Sequence, residues 1–155
     1  MKRTYALLLC LTLAAASAST VALAQSTSPR ADASRAVKIG VRHTGIGTIL
    51  VNSAGRTLYE FTKDHVRSDS CVKIKECSEI WPPLRTSGRP TAGPGVRASL
   101  LSTITLRGGA RQVTYAGHPL YIYSGDSGPG ETSYVGEKAF GGTWYAIDAA
   151  GHTVK

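Results

Sequence analysis

Apolar and turn-forming residues alternate along this chain in short blocks. The run Thr48-Ile49-Leu50-Val51 is β-branched and apolar, Asn52-Ser53-Ala54-Gly55 supplies turn residues, and residues 57–62 resume the extended pattern, which predicts a hairpin. A second hairpin follows the same plan: residues 111–115, a turn through Ala116-Gly117-His118-Pro119, and a return along residues 120–123. Upstream of each stands another strand candidate, residues 37–42 before Thr44-Gly45-Ile46-Gly47 and residues 103–107 before Gly108-Gly109. Downstream, Trp144-Tyr145-Ala146-Ile147 precedes a third turn, Asp148-Ala149-Ala150-Gly151, and His152-Thr153-Val154 closes a last hairpin. Short strands separated by glycine-rich turns predict an all-β fold, with one short helical turn around residues 72–79.

The two hairpins are copies. A shift of 62 residues aligns residues 51–64 with residues 113–126 without a gap, and Val, Ala, Gly, Leu, Tyr and Asp recur in register; a shift of 63 brings Trp81 onto Trp144. A repeat of this length is a duplicated supersecondary unit. The expected architecture is two antiparallel meanders of three to four strands each, packed with pseudo-twofold symmetry. Repeat unit one covers about residues 37–86, a linker about 87–101, and unit two about 102–155, within a single β domain of residues 37–155. Tyr59 and Phe61 stand two apart, as do Tyr121 and Tyr123, so each pair faces one way and is expected to help form the core between the units. Asp64 and Asp126 fall three residues beyond the second aromatic, where an aspartate can accept backbone N–H groups of the next turn or a tyrosine hydroxyl.

The N-terminus changes the address of this domain. Lys2 and Arg3 precede a mostly apolar stretch over residues 5–16, and Ala22-Leu23-Ala24 has the small-x-small pattern of a signal-peptidase site. Residues 1–24 therefore read as a cleaved signal peptide and residues 25–36 as a flexible leader. The apolar stretch is shorter than a bilayer span, so no transmembrane segment is expected after cleavage. Leu9 before Cys10 does not suit a lipobox. Cys71 and Cys77 then remain, and an even count in an exported chain points to a disulfide. The formal charge is +8. Without Lys2 and Arg3 the chain keeps 16 basic against 10 acidic residues, or +6, a balance that favours anionic partners. The basic residues form no run, and dedicated nucleic-acid binding is not expected.

Catalytic signatures are missing: there is no Gly-x-Ser-x-Gly, no His-Glu-x-x-His and no glycine-rich phosphate loop. His43, His65, His118 and His152 lie in or beside turns without a ligand spacing, Cys71 and Cys77 form no Cys-x-x-Cys, and no metal site or cofactor is assigned. The paired aspartates are explained by duplication as two copies of one turn. The long connections from Asp64 to Trp81 and from Asp126 to Trp144 are the expected recognition loops.

The repeated Tyr59-Glu60-Phe61-Thr62-Lys63-Asp64 and Tyr121-Ile122-Tyr123-Ser124-Gly125-Asp126 resemble a bacterial secreted-repeat family, described as predicted lipoproteins with a tyrosine-aspartate motif. Supporting pieces are Cys77-Ser78-Glu79-Ile80-Trp81-Pro82-Pro83-Leu84, Ala92-Gly93-Pro94-Gly95-Val96 and Phe140-Gly141-Gly142-Thr143-Trp144. The likeness covers about residues 45–151. It implies export, often lipid attachment, and no established reaction; the cysteines here stand farther apart than in the family pattern. The expectation is a periplasmic or secreted, non-enzymatic binding or structural module. Its motif residues are Tyr59, Phe61, Asp64, Trp81, Tyr121, Tyr123, Asp126 and Trp144, and its partner is an envelope protein or an anionic polymer. The alternative is a periplasmic redox or metal-handling accessory protein.

Overall fold

The computed structural model describes residues 36–155. The signal peptide expected over residues 1–24, with Cys10, and the leader up to residue 35 lie outside the described residues. Strands β1 (Lys38–Thr44) and β2 (Gly47–Asn52) form the first hairpin, and β3 (Tyr59–Phe61) follows its return. The first long connection holds a 3-10 turn, Cys71–Lys73, and a short helix α1 (Cys77–Ile80), where the sequence placed helical turn. Next come β4 (Arg85–Thr86), β5 (Thr91–Ala92), β6 (Leu101–Thr105), β7 (Arg111–Tyr115) and β8 (His118–Pro119). Strands β9 (Glu137–Ala139), β10 (Gly142–Ile147) and β11 (Thr153–Val154) end the chain. Three small sheets result, in the orders β2-β1-β5, β11-β10-β3 with β9 also on β10, and β4-β7-β6 with β8 also on β7.

The fold is all-β and duplicated, and the two halves exchange strands. β3 of the first half pairs with β10 of the second, Tyr59 opposite Ala146 and Phe61 opposite Trp144. In the other direction Tyr121 bridges Pro83, with Leu84 N–H donating to Leu120 O at 2.8 Å and Ile122 N–H to Pro82 O at 3.1 Å. The two copies meet where Tyr59 and Tyr121 exchange both backbone hydrogen bonds, at 3.0 and 2.9 Å, which places an approximate twofold axis between them. The main core obeys that axis. Ile39 and Leu101, Leu50 and Val113, Leu58 and Leu120, and Leu84 and Ile147 are corresponding residues, and all are buried in one cluster.

Two sequence expectations change in detail. The return over residues 120–123 is not a continuous strand, because Pro82 and Pro83 stand opposite and a proline has no N–H for the ladder. The register also slips by one residue between the hairpins: Val41 pairs Leu50, whereas the corresponding Thr103 pairs Val113, 63 positions after Leu50. The turns explain the slip. Asn52 Oδ1 accepts the N–H groups of Ala54 and Arg56, both at 3.0 Å, and Asn52 N–H donates to Arg56 O, so three residues make the first turn. Tyr115 instead pairs directly with His118 across Ala116 and Gly117, whose φ values of 49° and 89° suit a two-residue hairpin turn.

Candidate functional site

The strand exchange brings all eight motif residues to the twofold axis. Trp81 and Trp144 stack face to face, centroids 4.0 Å apart and 1° from parallel. Phe61 of the first half covers the other face of Trp144 at 4.1 Å, and Tyr123 of the second half lies against Trp81 at 4.5 Å. Tyr59 and Tyr121 present edges to Trp81 and Trp144, each at 5.1 Å. This ring stack is a second core, and the disulfide between Cys71 and Cys77 is buried within it.

The tyrosine-aspartate pairs close across the axis rather than within each copy. Tyr121 Oη–H donates to Asp64 Oδ2 at 2.7 Å, and Tyr59 Oη–H donates to Asp126 Oδ1 at 3.3 Å. Asp64 also accepts Ser70 N–H through Oδ1 at 2.6 Å, so it fastens the turn and the opposite tyrosine at once. Asp126 is less completely held: its Oδ2 is buried with no hydrogen-bond partner. Burial pushes Asp64 and Asp126 up to about 6, against the downward pull of their tyrosine partners, and burial followed by the facing carboxylate drives both phenols far above their ordinary value. Neither hydroxyl ionises at any ordinary pH. Each remains a donor.

The unequal bonds predict unequal costs. Tyr121→Phe is expected to destabilise by about 1.5–3 kcal/mol, as for a bond to a charged group, and Tyr59→Phe by about 1 kcal/mol, its bond being longer. Urea unfolding of the two variants checks the order; a costlier Tyr59→Phe contradicts it.

The remaining sequence candidates do not converge. His43 Nδ1 lies 2.7 Å from Thr48 Oγ1, His118 Nδ1 lies 2.7 Å from the buried Glu60 carboxylate, and His152 Nδ1 lies 3.5 Å from Asp148. Among the described residues no group of three or more His, Cys, Asp or Glu is placed to hold a metal ion. The two long connections differ: the first walls a basic cleft with Arg67 and Lys73, while the second places Tyr134 and Phe140 beside Trp81 and Tyr123 in an aromatic cleft of about 290 Å³. Sequence reasoning missed the basic cleft, because its cations are far apart in the chain and no run announces them. No helix among the described residues is long and apolar enough to cross a membrane.

Comparison with known proteins agrees with the duplication. A family model described as a secreted repeat of unknown function matches residues 40–85 and again residues 102–148. No curated protein and no solved structure matches the chain.

Proposed function

Since this chain belongs to the family of secreted repeats of unknown function, we propose that it is a non-enzymatic binding or structural module of the cell envelope. One observation carries the reading: the duplicated side chains are spent on one another. Tyr59 and Tyr121 each donate to the aspartate of the other copy, and the tryptophans between them are at most 1% exposed, so these four side chains lock the halves together and offer no reactive group to a solute. The same burial of both sulfurs of the disulfide supports a stapling role over a redox one, since thiol exchange needs access to a sulfur.

On this reading residues 37–155 form one β domain, exported after cleavage behind Ala24 to the periplasm or beyond, and recognition falls to the exposed surface around the motif core. The partner is an envelope protein or an anionic polymer. Recovery of such a partner from envelope extracts by the intact, oxidised protein is the test. A preparation that recovers nothing and turns over a small substrate overturns the proposal.

A further inference from the structure

Positive charge is gathered around the sheet of β4, β7 and β6, with Arg85 on the side of Gln112 and Arg111 on the other. Three clefts of about 820, 410 and 280 Å³ follow one another around the sheet of β4, β7 and β6. Arg85 lines the first and second, and Arg111 the second and third, so each cleft shares a cation with the next. Arg67, Lys73 and Arg107 complete the first and Arg89 the third. Against these six cations stands one carboxylate, Asp69, which is 4% exposed and turned to its own turn, where Oδ1 accepts Val72 N–H at 2.9 Å. Elsewhere in residues 36–155 eight basic residues balance eight acidic ones, so these three clefts hold the net charge of the described residues.

The charge is also available. None of the six cations takes part in an ion pair among the described residues. Arg67, Lys73, Arg85, Arg89 and Arg107 are exposed. A folded protein gains nothing by gathering unpaired like charges, which repel one another, so the arrangement calls for an anionic partner. Five of the six are arginines, whose planar fork binds oxyanions through two parallel N–H donors, and the hydroxyls of Ser68 and Ser78 lie among them. The clefts wrap around the sheet in sequence, a path that an extended flexible chain can follow. A flat lipid surface would need apolar side chains to insert, and of the exposed large hydrophobic residues Val66, Val72 and Ile80 only Val72 lines one of these three basic clefts.

We propose that these clefts bind an extended phosphate polyanion that wraps around the sheet, with successive phosphate groups seated along the three clefts and Arg85 and Arg111 holding the two junctions. The proposal rests on the binding-module reading and supplies the chemistry of its partner. It is tested with short linear inorganic polyphosphate, by fluorescence anisotropy or calorimetry on the oxidised protein over a range of salt concentrations. The expected result is saturable binding whose logarithmic affinity falls with the logarithm of salt at a slope of about −4, as for six contacts to a single flexible strand. Removing two contacts by Arg85→Gln with Arg111→Gln should weaken binding at least tenfold and flatten the slope by about 1.4. Lys73→Gln with Arg107→Gln, on the exposed rim of the first cleft, should do the same, and guards against a misfolded first pair. Lys138→Gln with Lys155→Gln, in and beside the strands that flank β10, removes as much charge away from the clefts and should leave affinity within twofold. No binding of polyphosphate overturns the proposal, as does equal weakening by the control pair. Tighter binding to polyglutamate overturns the phosphate assignment, and tighter binding to phosphatidylglycerol vesicles that ignores the arginine changes assigns the clefts to lipid instead. Protein that ignores polyphosphate yet still recovers an envelope partner sinks this inference alone and leaves the binding-module reading standing.

Discussion

Replacing Trp144 with alanine is expected to remove about 3–5 kcal/mol of stability, the range for deleting a buried tryptophan ring. Its side chain is fully buried, stacked on Trp81 at 4.0 Å and on Phe61 at 4.1 Å, with the edge of Tyr121 against it. The void would open at the axis where the two halves meet, among residues that belong to both, so neither half can collapse into it alone. For a domain of this size a loss of that order lowers Tm by roughly 12–20 °C. Trp81→Ala should cost a similar amount, because Tyr59 and Tyr123 surround it as Tyr121 and Phe61 surround Trp144. The double variant should cost less than the two losses together, by about 1 kcal/mol, since the stacking between the rings can be lost only once. A double-mutant cycle in urea measures this directly. Strict additivity would mean that the rings share a location and no energy.

That coupling was half legible in the sequence. A shift of 63 residues lays Trp81 on Trp144, and the spacing of Tyr59 to Phe61 and of Tyr121 to Tyr123 puts each pair on one side of its strand. Period-two alternation fixes a side, yet says nothing of which copy supplies the neighbour. Asp64 is five residues from Tyr59 and 57 from Tyr121, and it takes the distant hydroxyl because β3 crosses to β10 of the other half. The register slip was hidden for a related reason: Asn52 and Thr114 align without a gap, but only an asparagine side chain can tie off the longer turn, and the alignment scores identity rather than hydrogen bonds. The basic clefts were hidden more completely. Arg67, Arg85, Arg107 and Arg111 are spread over 45 positions and come from a loop, β4, the turn after β6, and β7, so only folding assembles them. Hydrophobic pattern and turn residues are local properties and carry the elements; partner exchange and surface charge are properties of the assembled sheets.

Stability should rise as the solution is made mildly acidic. Burial lifts Asp64 and Asp126 from 3.8 to about 6, with Asp69 adding to the first and Glu131 to the second, while Arg56 pulls the second back. A carboxyl raised in the folded state is charged at a cost that the unfolded chain does not bear. Its contribution is therefore full below about pH 4 and is lost as pH climbs through about 6. His118 works in the same direction, because its bond to Glu60 holds its proton more tightly in the fold than the ordinary value of 6.5. That contribution is complete below 6.5 and disappears above the raised value. Glu131, held down by the N–H of Ser127, opposes them, losing its contribution as pH falls below the ordinary glutamate range. Thermal melts between pH 4 and pH 8 should thus show a maximum near the acid end, with a loss toward neutrality of about 1 kcal/mol per aspartate once solvent screening is allowed for. Asp64→Asn with Asp126→Asn should flatten the limb that the two aspartates set up to about pH 6 and leave the part above 6.5 that belongs to His118. Asp126→Asn alone should lose little at neutral pH, since Oδ2 of that carboxylate is buried without a donor and an amide there carries no charge. A wild-type protein most stable at pH 8, or a double variant with an unchanged slope, would mean that the two carboxylates ionise as freely in the fold as outside it.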